Sequence, residues 1–141
     1  MKYVFYFISI SFLFACSTHN EPGDVITSEF ERITTVLTKD VWEVEKFSKN
    51  DTLRTAEFEG FEFVFKENNS FSVENDSLTS GGRWEYKSLP FEGELMDLET
   101  EAIPPLELLS ETWKIESVIN RQVKLKVETE NGMKVLILAR L

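Results

Sequence analysis

The chain contains one cysteine, Cys16, and one histidine, His19. A Ser-His-Asp or Cys-His scheme needs an imidazole beside its nucleophile, inside a shaped site. Zinc sites of the Cys or His type need several such ligands. A disulfide within the chain needs a second cysteine. From Asn20 to Leu141 the sequence supplies neither residue type. Carboxylates are the remaining acid–base groups, and there are 25 acidic side chains. Glycoside hydrolysis would need two of them facing each other across a substrate. Glu43, Glu45, Glu57, Glu59 and Glu62 instead alternate with apolar residues, as the solvated face of a strand does. Calcium loops gather Asp and Asn oxygens at close spacing. Asn50-Asp51-Thr52 and Glu74-Asn75-Asp76-Ser77 are too short to form one. No Gly-rich phosphate loop is present. The residues therefore predict no catalytic group, no metal and no cofactor, and they point to binding rather than reaction.

The net charge of −10 argues against nucleic acid as a partner, because phosphate binding needs clustered Lys and Arg. It also disfavours anionic headgroups. A length of 141 residues suggests one folded domain. Hydrophobic residues make up 42% and include 12 Phe, enough for a packed core.

Residues 1–15 are a different material. Lys2 precedes an apolar run from Val4 to Ala15, broken only by Ser9 and Ser11. The run is short of the about 20 residues a spanning helix needs, and it has the order of a secretory signal. It ends in Leu13-Phe14-Ala15-Cys16, which resembles the lipobox of bacterial lipoproteins: Leu at −3, a small residue at −1, Cys at +1. Phe14 departs from the small residue common at −2. The resemblance implies cleavage before Cys16 and attachment of lipid to its thiol and amine. Several acyl chains together give stable membrane anchoring. Residues 16–27, which include Pro22 and Gly23, then read as a tether. Ser17, rather than Asp, follows the cysteine, which under a +2 sorting rule implies the outer membrane. The folded domain is expected over residues 28–141.

Ser28 and Glu31 have the spacing of a capping box, and Phe30, Ile33 and Leu37 fall on one helical face. From Val41 the apolar period becomes two. Trp42 and Val44 open a first strand. Phe61, Phe63 and Phe65 share a face of a second, with Gly60 placed as a bulge after Phe58. Phe71 and Val73, then Trp84 and Tyr86 after a Gly pair, define further strands. Leu95 and Leu98 cannot share a face without a bulge. Pro104-Pro105 interrupts the strands, and Leu106, Leu108 and Leu109 should plug an apolar end. Trp113, Ile115, Ser117 and Ile119 alternate, as do Val123, Leu125 and Val127. Asn131-Gly132 has the composition of a hairpin turn. The last strand, apolar on both faces, should be covered. The expected fold is all-β: an antiparallel up-and-down barrel of about eight strands with a short N-terminal helix, an open two-sheet sandwich being the alternative.

From Lys39 to Leu141 these features resemble a lipocalin-like (calycin) domain of the small lipoproteins common in Bacteroidota. The resemblance rests on Trp42, the Phe-rich second strand, Gly82-Arg83-Trp84, Leu108-Leu109 before Trp113, and the Leu-rich last strand. The Gly that precedes the first-strand Trp in lipocalins is absent here, where Asp40-Val41-Trp42 stands. The resemblance implies that Arg140 stacks on Trp42. Trp42, Phe61, Phe63, Phe65, Trp84, Tyr86 and Trp113 are expected in the interior. There they either wall a pocket for a small hydrophobic ligand or simply fill it, leaving the outer surface to engage a partner.

Overall fold

The computed structural model describes residues 28–130 and 132–141. Residues 1–27, with Cys16, His19, the signal segment and the tether, lie outside them.

Helix α1 spans Glu29–Lys39. The capping box forms as the spacing requires: the Glu31 N–H donates to Ser28 Oγ and the Ser28 N–H donates to Glu31 Oε2, each at 3.2 Å. These bonds satisfy two backbone donors that a helix start would otherwise leave free. Ile33 and Leu37 are fully buried, while Phe30 on the same stripe stays half exposed. Nine strands follow: β1 Val41–Lys49, β2 Thr52–Leu53, β3 Glu62–Phe65, β4 Ser70–Glu74, β5 Thr79–Leu89, β6 Gly93–Thr100, β7 Glu111–Ile119, β8 Gln122–Thr129 and β9 Gly132–Arg140. Two 3-10 turns interrupt them, at Thr55–Phe58 and Leu106–Leu109.

Consecutive strands from β3 to β9 pair antiparallel, and β9 returns to pair with β1 from Trp42↔Arg140 to Lys49↔Lys134. β1 also pairs with β3 through Val41↔Val64 and Trp42↔Phe63. The result is a closed eight-stranded antiparallel barrel, not an open sandwich. β2 is a two-residue strand added beside the end of β1. Closure removes the free strand edges that an open meander would expose.

Several local expectations are corrected. Gly60 is not a bulge within a strand. It lies between the Thr55–Phe58 turn and β3, with φ +78, where a side chain would be strained. Leu95 and Leu98, by contrast, behave as expected: no bulge separates them and they lie on opposite faces. Leu95 and Met96 face opposite sides, and Leu95 is buried apart from the main core. Real bulges fall elsewhere, between Val44 and Lys46 and between Ile115 and Ser117. Each adds one residue and reverses the alternation beyond it. Phe47 and Val118 thereby turn inward, and Ile119 turns out to solvent. The β8–β9 hairpin forms with Gly132 opposite Thr129 at φ +114, while Asn131 lies outside the described residues. β9 buries Leu136 and Leu138, but its outer Val135 and Ile137 are only half covered.

α1 lies across the end at which β1 begins. Arg32 Nη1 donates to the Val118 carbonyl at 2.8 Å, near the end of β7. The Leu106–Leu109 turn lies at the opposite, far end, where Lys134 Nζ reaches the Leu108 carbonyl. Leu106 and Leu109 are buried there, as a plug requires.

Candidate functional site

The interior is where sequence reasoning put a binding site. The structure brings Trp42, Phe61, Phe63, Phe65, Trp84 and Trp113 into one buried cluster, with Tyr86 half buried against it. Phe65 meets Trp84 edge-on at 6.0 Å between centroids and Phe71 at 5.3 Å. Phe47 and Phe58, both outside the expected set, form another edge-on pair at 5.0 Å. The β1 bulge turned Phe47 inward. Phe58 enters on a 3-10 turn, which has no period-two signal.

Each tryptophan has a second role. Trp42 Nε1 donates to the Leu37 carbonyl at 2.9 Å, fixing the last turn of α1 to β1. Trp84 Nε1 donates to the Lys66 carbonyl at 3.0 Å, fixing the β3–β4 turn to β5. Trp113 Nε1 donates to the Leu109 carbonyl at 2.9 Å, fixing the far-end plug to β7. A buried indole thus supplies apolar bulk while its N–H satisfies a carbonyl outside the strand ladder. Trp42 and Trp113 are 0% exposed and Trp84 is 2% exposed.

Arg140 pairs in register with Trp42 across β1 and β9. Its Nη1 donates to Asp40 Oδ2 at 3.2 Å, which spends the cation on a carboxylate beside the ring strand.

Among the described residues no polar or charged side chain is buried. Glu43, Glu45, Glu57, Glu59 and Glu62 are all exposed. Open spaces lie on the outer surface. A groove of about 610 Å³ beside β1, β2 and β9 is lined by Glu45, Lys46, Ser48, Asp51, Leu53 and Ile137. A second, of about 250 Å³, is lined by Asn69, Arg83, Trp84, Glu85, Asp97 and Glu99. Of the side chains expected to hold a ligand, Trp84 alone borders either space. Near the second groove, Lys87 pairs with Asp97. Partial burial pushes the Asp97 carboxyl up, but the hydrogen bonds from Lys87 and Thr112, with the Lys87 charge, together outweigh it and hold it below the ordinary Asp value. At the α1 end, the Tyr86 hydroxyl donates to Glu94 Oε1 at 3.2 Å; burial first and the Glu94 charge second raise its pKa.

Comparison with known proteins gives the fold. No family model matches the sequence, and no curated protein sequence is similar to it. A DUF4847 family protein from Bacteroides vulgatus ATCC 8482 has a similar structure, with TM-score 0.51 and 13% identity, over 76% of this chain and 96% of that one. An uncharacterized protein from Bacteroides eggerthii DSM 20697 aligns over 71% of this chain and 97% of its own at 15% identity, with TM-score 0.43. The first likeness is one of fold. A lipocalin-like barrel fits it, and neither description names a lipocalin or a lipoprotein.

Proposed function

We infer that this protein is a lipid-anchored component of the cell envelope whose barrel is a filled scaffold acting through its surface. The filled interior carries this reading. The three indoles are buried and bonded to backbone carbonyls, and the open volumes lie outside the barrel. A small hydrophobic ligand would have to displace these rings. The non-catalytic part of the reading rests on the sequence from Asn20 to Leu141, which offers no Cys or His for a nucleophile, a base or a zinc site. The lipobox at Leu13–Cys16 supports the anchor, and Ser17 supports the outer membrane as its place.

Two measurements test the reading. Cys16→Ser should move the protein out of the membrane fraction or leave it uncleaved. A variant that is processed and membrane-held like the parent would refute the anchor. Native mass spectrometry of residues 28–141 after exposure to an envelope lipid extract should return the bare chain mass. A stoichiometric small hydrophobic adduct would favour the second reading, a ligand-binding barrel.

A further inference from the structure

The two ends of the barrel expose different surfaces. β5, β7 and β9 all finish at the end α1 covers, as their registers with β6, β8 and β1 require. Among the described residues, the large apolar side chains exposed at that end are Phe30, Leu89, Phe91, Ile119 and Leu141, against Leu53 at the far end. Phe91 is the most prominent. It stands fully exposed at the tip of the β5–β6 hairpin, between Pro90 and Glu92, with Leu89 40% exposed beside it. The Phe30 ring lies 5.9 Å from that of Tyr86 on β5, which holds the start of α1 against the same hairpin.

Charge is divided in the opposite sense. At the α1 end, Glu29 pairs with Arg32 and Asp40 with Arg140, and Lys39, Lys66 and Arg121 are balanced by Glu31, Glu67 and Glu92. The far end carries Asp51, Glu74, Asp76, Glu101, Glu107 and Glu130 against Lys49 and Lys134. The apolar end is therefore the one with the smaller local charge, although the chain as a whole has net charge −10.

The chain enters the domain at this same end. Residues 16–27 join the barrel at Ser28, the N-cap of α1. Even fully extended they reach about 40 Å. A lipid at Cys16 therefore keeps Ser28 close to the bilayer, and tethering raises the effective concentration of any second contact made nearby. Aromatic side chains on an apolar tip favour the headgroup layer, where ring and backbone polar groups are both accommodated.

We propose that the α1 end of the barrel, with Phe91 foremost, rests in the headgroup layer of the bilayer that holds the lipid anchor, so that the acidic far end points away from the membrane. This rests on the anchored reading of Cys16. The membrane contact adds an orientation that a lipid on a tether alone would not fix, and it displays the groove beside β1, β2 and β9 to the aqueous side.

The test uses the mature lipidated protein in vesicles of phosphatidylethanolamine and phosphatidylcholine whose acyl chains are brominated near the headgroup. The three native tryptophans are buried, so bromine quenches them little. Phe91→Trp should add emission that the brominated lipid quenches at least twofold more than the emission added by Leu53→Trp at the far end. Equal quenching of the two added indoles overturns the proposal. Mass spectrometry of the same preparation separates the failures. Lipid present on Cys16 with no selective quenching removes the orientation alone, whereas no lipid on Cys16 removes the anchor and the orientation together. A photo-crosslinker at position 91 in intact cells should yield lipid adducts. A discrete protein adduct would assign this end to a protein partner and overturn the membrane assignment.

Discussion

Substitution of Trp113 separates a filled barrel from a ligand-holding one. Trp113 is 0% exposed, lies across from Met96 on β6, and donates its N–H to the Leu109 carbonyl. Trp113→Phe keeps an aromatic ring but removes the donor. The Leu109 carbonyl is then left in a buried setting without that partner, which costs about 1–3 kcal/mol, and the lost ring volume adds about 1 kcal/mol. Trp113→Ala should cost about 4–6 kcal/mol by adding the full cavity to the lost bond. That is a large share of the roughly 5–15 kcal/mol that holds a domain folded. Urea unfolding of residues 28–141, followed by circular dichroism, measures both. With a slope of about 1–3 kcal/mol per molar, Trp113→Phe should lower the midpoint by roughly 1–2 M and Trp113→Ala by roughly 2–3 M. Leu53→Ala, at an exposed position, should stay within about 0.5 kcal/mol of the parent. A wall of an empty pocket can lose bulk at little cost. A midpoint for Trp113→Phe indistinguishable from that of Leu53→Ala would therefore refute the filled-barrel argument.

Two further substitutions probe the wall. At Gly82 an added Cβ would lie 2.1 Å from the Glu99 carbonyl oxygen and 2.6 Å from Phe71 Cζ. Gly82→Ala must therefore displace β6 or the Phe71 ring; a loss of about 1–3 kcal/mol is expected, with reduced amide-exchange protection along β5 and β6. A variant of parental stability would show that the strands do not meet there as closely as described. Asp97→Asn removes the partner of Lys87, a pair with side chains 23% and 41% exposed, so solvent screening limits its worth to about 0.5–1 kcal/mol. Because the folded pKa of Asp97 is depressed, that contribution is present above the ordinary value of 3.8 and disappears as pH falls through the folded value. The gap in urea midpoint between parent and Asp97→Asn should be open at pH 7 and shrink as pH falls below 3.8; a gap of constant size would contradict the direction of the shift.

The barrel was largely legible in the sequence because period-two alternation is a local signal. Trp42 with Val44, Phe63 with Phe65, and Val123 with Leu125 each mark an inner face within a few residues, and all are buried. The helix was legible for the same reason, since Ser28 and Glu31 lie within one turn of each other. Closure was not written locally. It depends on β1 meeting β9 across almost the whole domain, through pairs such as Val44↔Leu138. The bulges were missed because a one-residue insertion leaves composition unchanged and shows only as a change of phase. Glu45-Lys46-Phe47 and Glu116-Ser117-Val118 carry that change, and it decides which side of the wall Phe47 and Val118 occupy.

Of the residues expected inside, Trp42, Phe61, Phe63, Phe65, Trp84 and Trp113 are buried and Tyr86 is only half buried, yet their chemistry was invisible without coordinates. An indole N–H finds a carbonyl four, five or eighteen residues away, and no spacing in the sequence marks Leu109, Leu37 or Lys66 as its acceptor. The surface asymmetry was further out of reach. Leu89 and Ile119 look like strand residues, and Phe91 looks like one aromatic in a loop. They become one end of a molecule only once strand direction is known, and Ile119 is outward only because β7 carries a bulge. The same directions put Ser28, the N-cap of α1, among them. A filled barrel leaves the outer surface as the place for recognition. A surface divided into an apolar end and an acidic far end has a direction as well as a fold, and under the proposed membrane contact the acidic end is the one that faces the aqueous side.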